Sequence, residues 1–220
     1  MKVFLVGGST YNGYLNWILD VLPLSLARSV EEADFVFFAG GEDVNPALYF
    51  EKLGYRTSFN QFRDNRELEI FKEAQSLGKK LVGVCRGGQF LTVMAGAKLV
   101  QDMRHPFFHP VKTYDGQTIS VSSTHHQQFL VEGTGVNYNL LAYAERLSGA
   151  HLNGNDEDYK FPKDYKEPEV VVYPDIKAFA CQSHPEMLFS SKNGLDNGPE
   201  RDILEKSINW CQKEILAFLK

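Results

Sequence analysis

The stretch Lys80-Leu81-Val82-Gly83-Val84-Cys85-Arg86-Gly87-Gly88-Gln89 and the run after it, Phe90-Leu91-Thr92-Val93-Met94-Ala95, decide how the chain folds. An apolar run reads as a buried strand, a small-residue turn follows, and a helix-like run begins at once. Strand, tight turn and helix together hold one side chain, Cys85, in a strained and exposed position. Glycines on both sides let the backbone bend sharply and leave room for a substrate. The helix behind Cys85 points its positive end at the sulfur, which favours thiolate over a free thiol of pKa roughly 8.5. A lone Gly-x-Cys-x-Gly pattern also describes a turn around a buried, inert cysteine, so it needs support from elsewhere in the chain.

Upstream, Lys2 to Val6 reads as a buried strand ending in Gly7-Gly8-Ser9, and Tyr14 to Leu22 as a helix stopped by Pro23. Asp34-Phe35-Val36-Phe37-Phe38 is a continuous apolar run of the kind buried in a parallel sheet, and it ends in Ala39-Gly40-Gly41. Asp64 to Leu77 has helical spacing, with Leu68, Phe71, Ala74 and Leu77 near one face and Gly78 as the stop. Arg63 and Asp64 read as holding the start of that helix. Strands alternating with helices predict an α/β fold, doubly wound around a mostly parallel central sheet. In such sheets sites form beyond the carboxyl ends of the strands, where Gly40-Gly41 and Cys85 both fall.

Downstream, Thr118 to Ser122, Glu169 to Tyr173 and Lys177 to Cys181 read as strands, and the polar segment from His151 to Lys166 as a surface loop. Asn197-Gly198-Pro199 opens a last helix with Glu200 and Asp202 in its first turn and an apolar stripe of Leu204, Ile208, Cys211, Ile215 and Leu219. Cys181 and Cys211 fall on buried positions of these elements and read as core. With no repeat or linker, residues 1–220 read as one domain.

The support for Cys85 comes from Ala178-Phe179-Ala180-Cys181-Gln182-Ser183-His184-Pro185-Glu186. Pro185 biases His184 toward extended backbone, and in an extended chain residues two apart share a face. One carboxylate then orients one imidazole, and the imidazole takes the thiol proton.

The composition sets the remaining bounds. The 220 residues are 43% hydrophobic and 23% charged, which describes a globular chain with ample core. A net charge of −5 with no basic block argues against nucleic acid as a partner. The start, Met1 to Gly7, is too short for a signal peptide, and no apolar run approaches the roughly 20 residues of a membrane span. Three cysteines without regular spacing do not describe a disulfide framework or a zinc site, so a reducing cytoplasm is the expected setting and no metal or cofactor is called for.

These motifs together resemble the class I glutamine amidotransferase superfamily, and within it the peptidase C26 branch of the γ-glutamyl-γ-aminobutyrate hydrolase type. The resemblance runs from about Phe35 to Glu186. It rests on Gly40-Gly41-Glu42-Asp43-Val44-Asn45-Pro46 with Tyr49, Arg63-Asp64 with Glu67, Cys85-Arg86-Gly87-Gly88-Gln89, Ser123-Thr124-His125-His126-Gln127 and His184-Pro185-Glu186. The arginine after the cysteine and the His-His-Gln run are similar to the hydrolase branch; synthetase-linked glutaminases more often carry leucine after the nucleophile. The resemblance implies a flavodoxin-like sheet, Cys85 as nucleophile, His184 as base and Glu186 as its orienter. It implies an oxyanion hole from the backbone N–H groups of Gly41 and Arg86. Substrate is expected near Gly40, Gln89, Gln127 and one of His125 and His126, the other packing or capping a loop; Asp43 either touches substrate or caps the turn after Gly41.

Two positions depart from the family pattern: Ser183 stands where an aromatic residue is usual, and Ser122 where asparagine is usual. The segment before Gly40 is also shorter than in typical members. These differences bear on the substrate end of the pocket. Three functions follow as expectations: hydrolysis of a small γ-glutamyl amide through a thioester, a glutaminase subunit passing ammonia to a separate synthase partner, or a non-catalytic binding protein on the same fold.

Overall fold

A computed structural model describes residues 1–7, 24–103, 106–145, 161, 164–188 and 198–220. The expected helix from Tyr14 to Leu22 lies outside the described residues, as does most of the expected loop from His151 to Lys166.

The first strand, β1 (Lys2–Val6), pairs in parallel with the short β2 (Ser25–Leu26) on one side and with β3 (Phe35–Phe38) on the other. Helix α1 (Gln61–Ser76) leads into β4 (Lys80–Val84), which lies parallel to β3. Helix α2 (Arg86–Met94) follows directly. After it come β5 (Lys98–Val100), β6 (Phe108–Thr113), β7 (Thr118–Ser122), β8 (Gln128–Leu130), β9 (Asn139–Ala144) and β10 (Glu167–Tyr173). The strand β11 (Ala178–Cys181) and the helix α3 (Pro199–Leu219) complete the order. The large sheet runs β2-β1-β3-β4-β11-β10-β9-β6-β7, and β5 with β8 forms a separate pair. From β2 to β11 every pairing is parallel; β10, β9, β6 and β7 extend that body as antiparallel neighbours.

The expected doubly wound α/β architecture is therefore present, with helices on both faces. In β3 all four residues are buried because alternate side chains serve different layers. Phe35 and Phe37 pack with Val82, Val84 and Phe179 against Trp210, Cys211 and Ile215 of α3. Val36 and Phe38 pack with Leu81 and Ala180 against Ala74 of α1 and Phe90 and Leu91 of α2. Among the described residues no helix is long and apolar enough to cross a membrane.

Strand register builds the site. Phe38 of β3 lies opposite Gly83 of β4, and Cys181 of β11 opposite Val84 of β4. The segments leaving β3, β4 and β11 thus emerge side by side, and they carry Gly40-Gly41, Cys85 and His184. The order of strands in space, not their order in sequence, makes these three groups neighbours.

Candidate active site

Cys85 sits between β4 and α2 at φ 52° and ψ −116°, a backbone conformation that a residue with a side chain rarely adopts. Two bonds hold it there. Its N–H donates to the carbonyl of Cys181 (2.7 Å), and its carbonyl accepts from Gln89 N–H in the first turn of α2 (2.9 Å). The helix starts at Arg86, directly behind the cysteine as expected. Its glycines explain the approach: a β-carbon on Gly87 would overlap the carbonyl of Phe38. Only glycine lets α2 settle this close to β3, which sets the positive end of the helix at the Cys85 turn.

His184 interacts with Cys85 and places Nδ1 2.5 Å from Oε1 of Glu186. Both His184 and Glu186 are buried. The expected cause of their pairing needs correction. Pro185 does not continue an extended chain; residues 185–188 form a helical turn, closed by N–H donation from Met187 and Leu188 to the His184 carbonyl. Proline suits the first position of such a turn, and the turn brings Glu186 back to the imidazole. Burial pulls the His184 pKa down, but the charge and hydrogen bond of Cys85 and those of Glu186 outweigh it and push the imidazole up to about 11.

Ser122 is a member of the site that the sequence reading marked only as a departure. Its Oγ accepts from His184 N–H (3.2 Å) and donates to the His184 carbonyl (3.1 Å), clamping the histidine backbone from the end of β7. The neighbouring departure, Ser183, places its Oγ 3.3 Å from the sulfur of Cys181.

The Gly40-Gly41 turn is held from α1. Arg63 donates through Nη2 to the carbonyls of Ala39 (3.1 Å) and Gly40 (3.0 Å), through Nη1 to Glu42 (2.7 Å) and through Nε to Glu67 (2.7 Å). Gly41 has φ +152°, and a β-carbon there would overlap Arg63. Arg86 is fully buried and pairs through Nη1 with Glu67 and through Nη2 with Asp64. Arg63 and Asp64 therefore do not hold the helix start. Asn60 does, its Oδ1 accepting from the N–H groups of Phe62 (3.1 Å) and Arg63 (3.2 Å).

The other expected substrate neighbours tie loops together. His126 Nε2 lies 3.1 Å from Oδ2 of Asp43, and its Nδ1 lies 3.1 Å from the carbonyl of Gln101. His125 Nδ1 is 2.9 Å from the Gln127 carbonyl, which also accepts from Gln89 Nε2 (2.8 Å). The side chain of Gln127 accepts from Val44 N–H (3.1 Å), just past the Gly40-Gly41 turn. Of the adjacent histidines, His126 meets Asp43 while His125 folds back on its own loop.

A strained cysteine at a helix N-terminus, a histidine that interacts with it and a carboxylate beside that histidine come together at the carboxyl ends of neighbouring strands. The comparisons agree with the fold. Over its whole length the chain is similar to a glutamine amidotransferase from Thermotoga maritima, with TM-score 0.60, 16% identity and 96% of that chain covered. Among sequences it is 29% identical over 190 residues to protein NtpR of Enterococcus hirae, covering 81% of this chain and 78% of that one. It is 33% identical over 114 residues to the glutamine amidotransferase-like protein YvdE of Lactococcus lactis, covering 48% of this chain and 47% of that one. The Peptidase C26 family model matches residues 18–156, and the chain belongs to that family.

Proposed function

We propose that this protein is a cysteine hydrolase that cleaves γ-glutamyl amides through a thioester on Cys85. The observation that carries the reading is the strained Cys85 turn at the start of α2, with Glu186 2.5 Å from the histidine that emerges beside it from the neighbouring strand. The sulfur, as thiolate, attacks the side-chain carbonyl carbon of a γ-glutamyl group. The carbonyl oxygen gains the negative charge and takes hydrogen bonds from the N–H groups of Gly41 and Arg86. As the charge on sulfur is lost, the main interaction raising the His184 pKa disappears while burial remains. The imidazolium then gives its proton to the departing amine. Neutral His184, still oriented by Glu186, takes a proton from water, whose oxygen attacks the thioester. Glutamate leaves and the Cys85–His184 ion pair is restored.

In this reading the substrate end of the pocket is framed by Gly40, Asp43, Gln89, His125, His126 and Gln127. Their mutual bonds set its shape. The test is turnover by the purified chain alone, with glutamine and a panel of γ-glutamyl amines as substrates. Release of glutamate by the wild type and its loss in Cys85→Ala support the reading. Activity on glutamine only after a synthase is added would replace it with an ammonia-delivering subunit. Absence of turnover under both conditions would leave a binding protein on this fold.

A further inference from the structure

We infer that Arg63 is the positioning residue that keeps the oxyanion hole formed, an inference that rests on the hydrolase reading above. The oxyanion donor on the β3 side is the N–H of Gly41, which belongs to the Gly40–Gly41 peptide. In a trans peptide the carbonyl and the N–H point in opposite directions. Arg63 Nη2 holds the Gly40 carbonyl at 3.0 Å and the Ala39 carbonyl at 3.1 Å. With that carbonyl fixed toward α1, the Gly41 N–H is aimed away from α1. A rotation of this peptide would reverse both groups, presenting a carbonyl oxygen where the developing negative charge needs a donor.

Glycine makes that rotation easy. Gly41 lies at φ +152°, in a region open to glycine and strained for other residues, and its neighbour is also glycine. The turn therefore does not fix its own orientation. Arg63 does so from outside, with every guanidinium nitrogen engaged: Nη2 on the two carbonyls, Nη1 on Glu42 and Nε on Glu67. Its side chain is 11% exposed, and its bonds to Glu67 and to the two carbonyls are partly shielded from water, while the one to Glu42 lies at the surface. The helix start does not need this side chain, because Asn60 caps it.

The same anchor reaches the second donor. Glu67 accepts from Arg63 with Oε1 and from Arg86 with Oε2, and Asp64 accepts from the other arm of Arg86. Arg86 supplies the second N–H of the hole. One buried ion cluster on the first turns of α1 thus fixes both backbone donors relative to each other, although they leave different strands.

The test separates oxyanion stabilisation from thiolate formation. Arg63→Gln and Arg63→Lys are compared with the wild type in glutamate release from γ-glutamyl-p-nitroanilide and in alkylation of Cys85 by iodoacetamide. Alkylation displaces iodide at a saturated carbon and forms no oxyanion. In Arg63→Gln, kcat is expected to fall by the factor for losing one donor, on the order of 10²–10³, with KM little changed. The alkylation rate is expected to stay at the wild-type value. Arg63→Lys keeps a cation beside Glu42 and Glu67, which preserves the fold where Arg63→Gln is insoluble. It cannot grip both carbonyls and both carboxylates at once, so its kcat also falls while alkylation persists. Wild-type kcat in either folded variant, or alkylation falling in step with kcat, overturns the inference. Failure of the underlying reading looks different: the wild type releases no glutamate, or Cys85→Ala still does, and the inference falls with it.

Discussion

Nδ1 of His184 and Oε1 of Glu186 lie 2.5 Å apart with both side chains buried, and the imidazole also interacts with Cys85. The histidine is thereby held as imidazolium far above its ordinary range, up to about 11, against the downward pull of burial. A raised histidine pKa stabilises the fold fully below the unfolded value of about 6.5, and that contribution is lost as pH rises through the folded value. The same titration removes the proton that the leaving amine needs. The alkaline limb of kcat/KM in the wild type should therefore fall near pH 11, with the same titration that removes this contribution to stability. In Glu186→Gln one of the groups that raise the pKa is gone, so the limb should move to lower pH. A pH–rate profile checks this, and an unmoved limb in Glu186→Gln would rule out the pairing as the cause. His184→Ala should cost more at neutral pH, by about 10²–10⁴.

The three thiols should differ sharply in reactivity. Cys85 stands at a helix N-terminus beside a histidine cation. Cys211 is held as a thiol well above the usual cysteine range by its hydrogen bond with Cys181 and by burial. Iodoacetamide on the native protein, followed by peptide mapping, should label Cys85 and leave Cys181 and Cys211 untouched until the chain is unfolded. Labelling of Cys181 with Cys85 spared would contradict the site assignment.

Arg86 has a structural role through its side chain as well as a backbone role. Arg86→Met removes the cation that compensates buried Asp64 and Glu67, and loss of one partner from a buried ion cluster costs about 3–5 kcal/mol. For a chain of this size that is a Tm loss on the order of 10 °C. Burial already raises the Asp64 carboxyl pKa in the intact protein, so without Arg86 it rises further. A carboxyl with a raised folded pKa is tolerated at low pH, where it is protonated, and penalised as pH rises through that value. The Tm deficit of Arg86→Met relative to wild type should thus be larger at pH 8 than at pH 5. Thermal unfolding at the two pH values measures it, and an equal deficit would refute the origin in buried charge.

Ser122→Ala should weaken catalysis without touching the reacting groups. It leaves the buried N–H of His184 without its acceptor, while the carbonyl keeps the N–H groups of Met187 and Leu188, a cost of about 1–3 kcal/mol in stability. With the histidine backbone released, kcat should fall while the alkylation of Cys85 changes less. Kinetics beside a thermal melt distinguish this from a surface serine, whose loss would change neither.

Much of this was legible in the sequence, and the exceptions have physical causes. Continuous apolar runs revealed β3 and β4 because strands buried on both faces leave no polar positions. The Cys85 turn was legible from its glycines. The antiparallel half was harder to read. In β6, Pro110 interrupts the run, and proline inside a strand argues locally against one; it sits opposite Ser120, whose N–H is taken by Ser207. The start of α1 was placed three residues late because Asn60, its cap, is followed by Gln61, Phe62 and Arg63, whose one apolar side chain is exposed and off the buried stripe. The His184–Glu186 contact was foreseen for the wrong reason, since a proline that disfavours helix before itself can also begin one. Arg63 and Ser122 could not be assigned from sequence, because each acts on a segment far along the chain, 23 residues away at Gly40 and 62 at His184.

The most direct measurement is the mass of the enzyme itself, quenched in acid during steady-state turnover of γ-glutamyl-p-nitroanilide. The expected result is a γ-glutamyl adduct that maps to the peptide bearing Cys85, is absent from Cys85→Ala and decays when substrate is exhausted. Glutamate release without any adduct, or an adduct on another residue, would contradict the proposed chemistry.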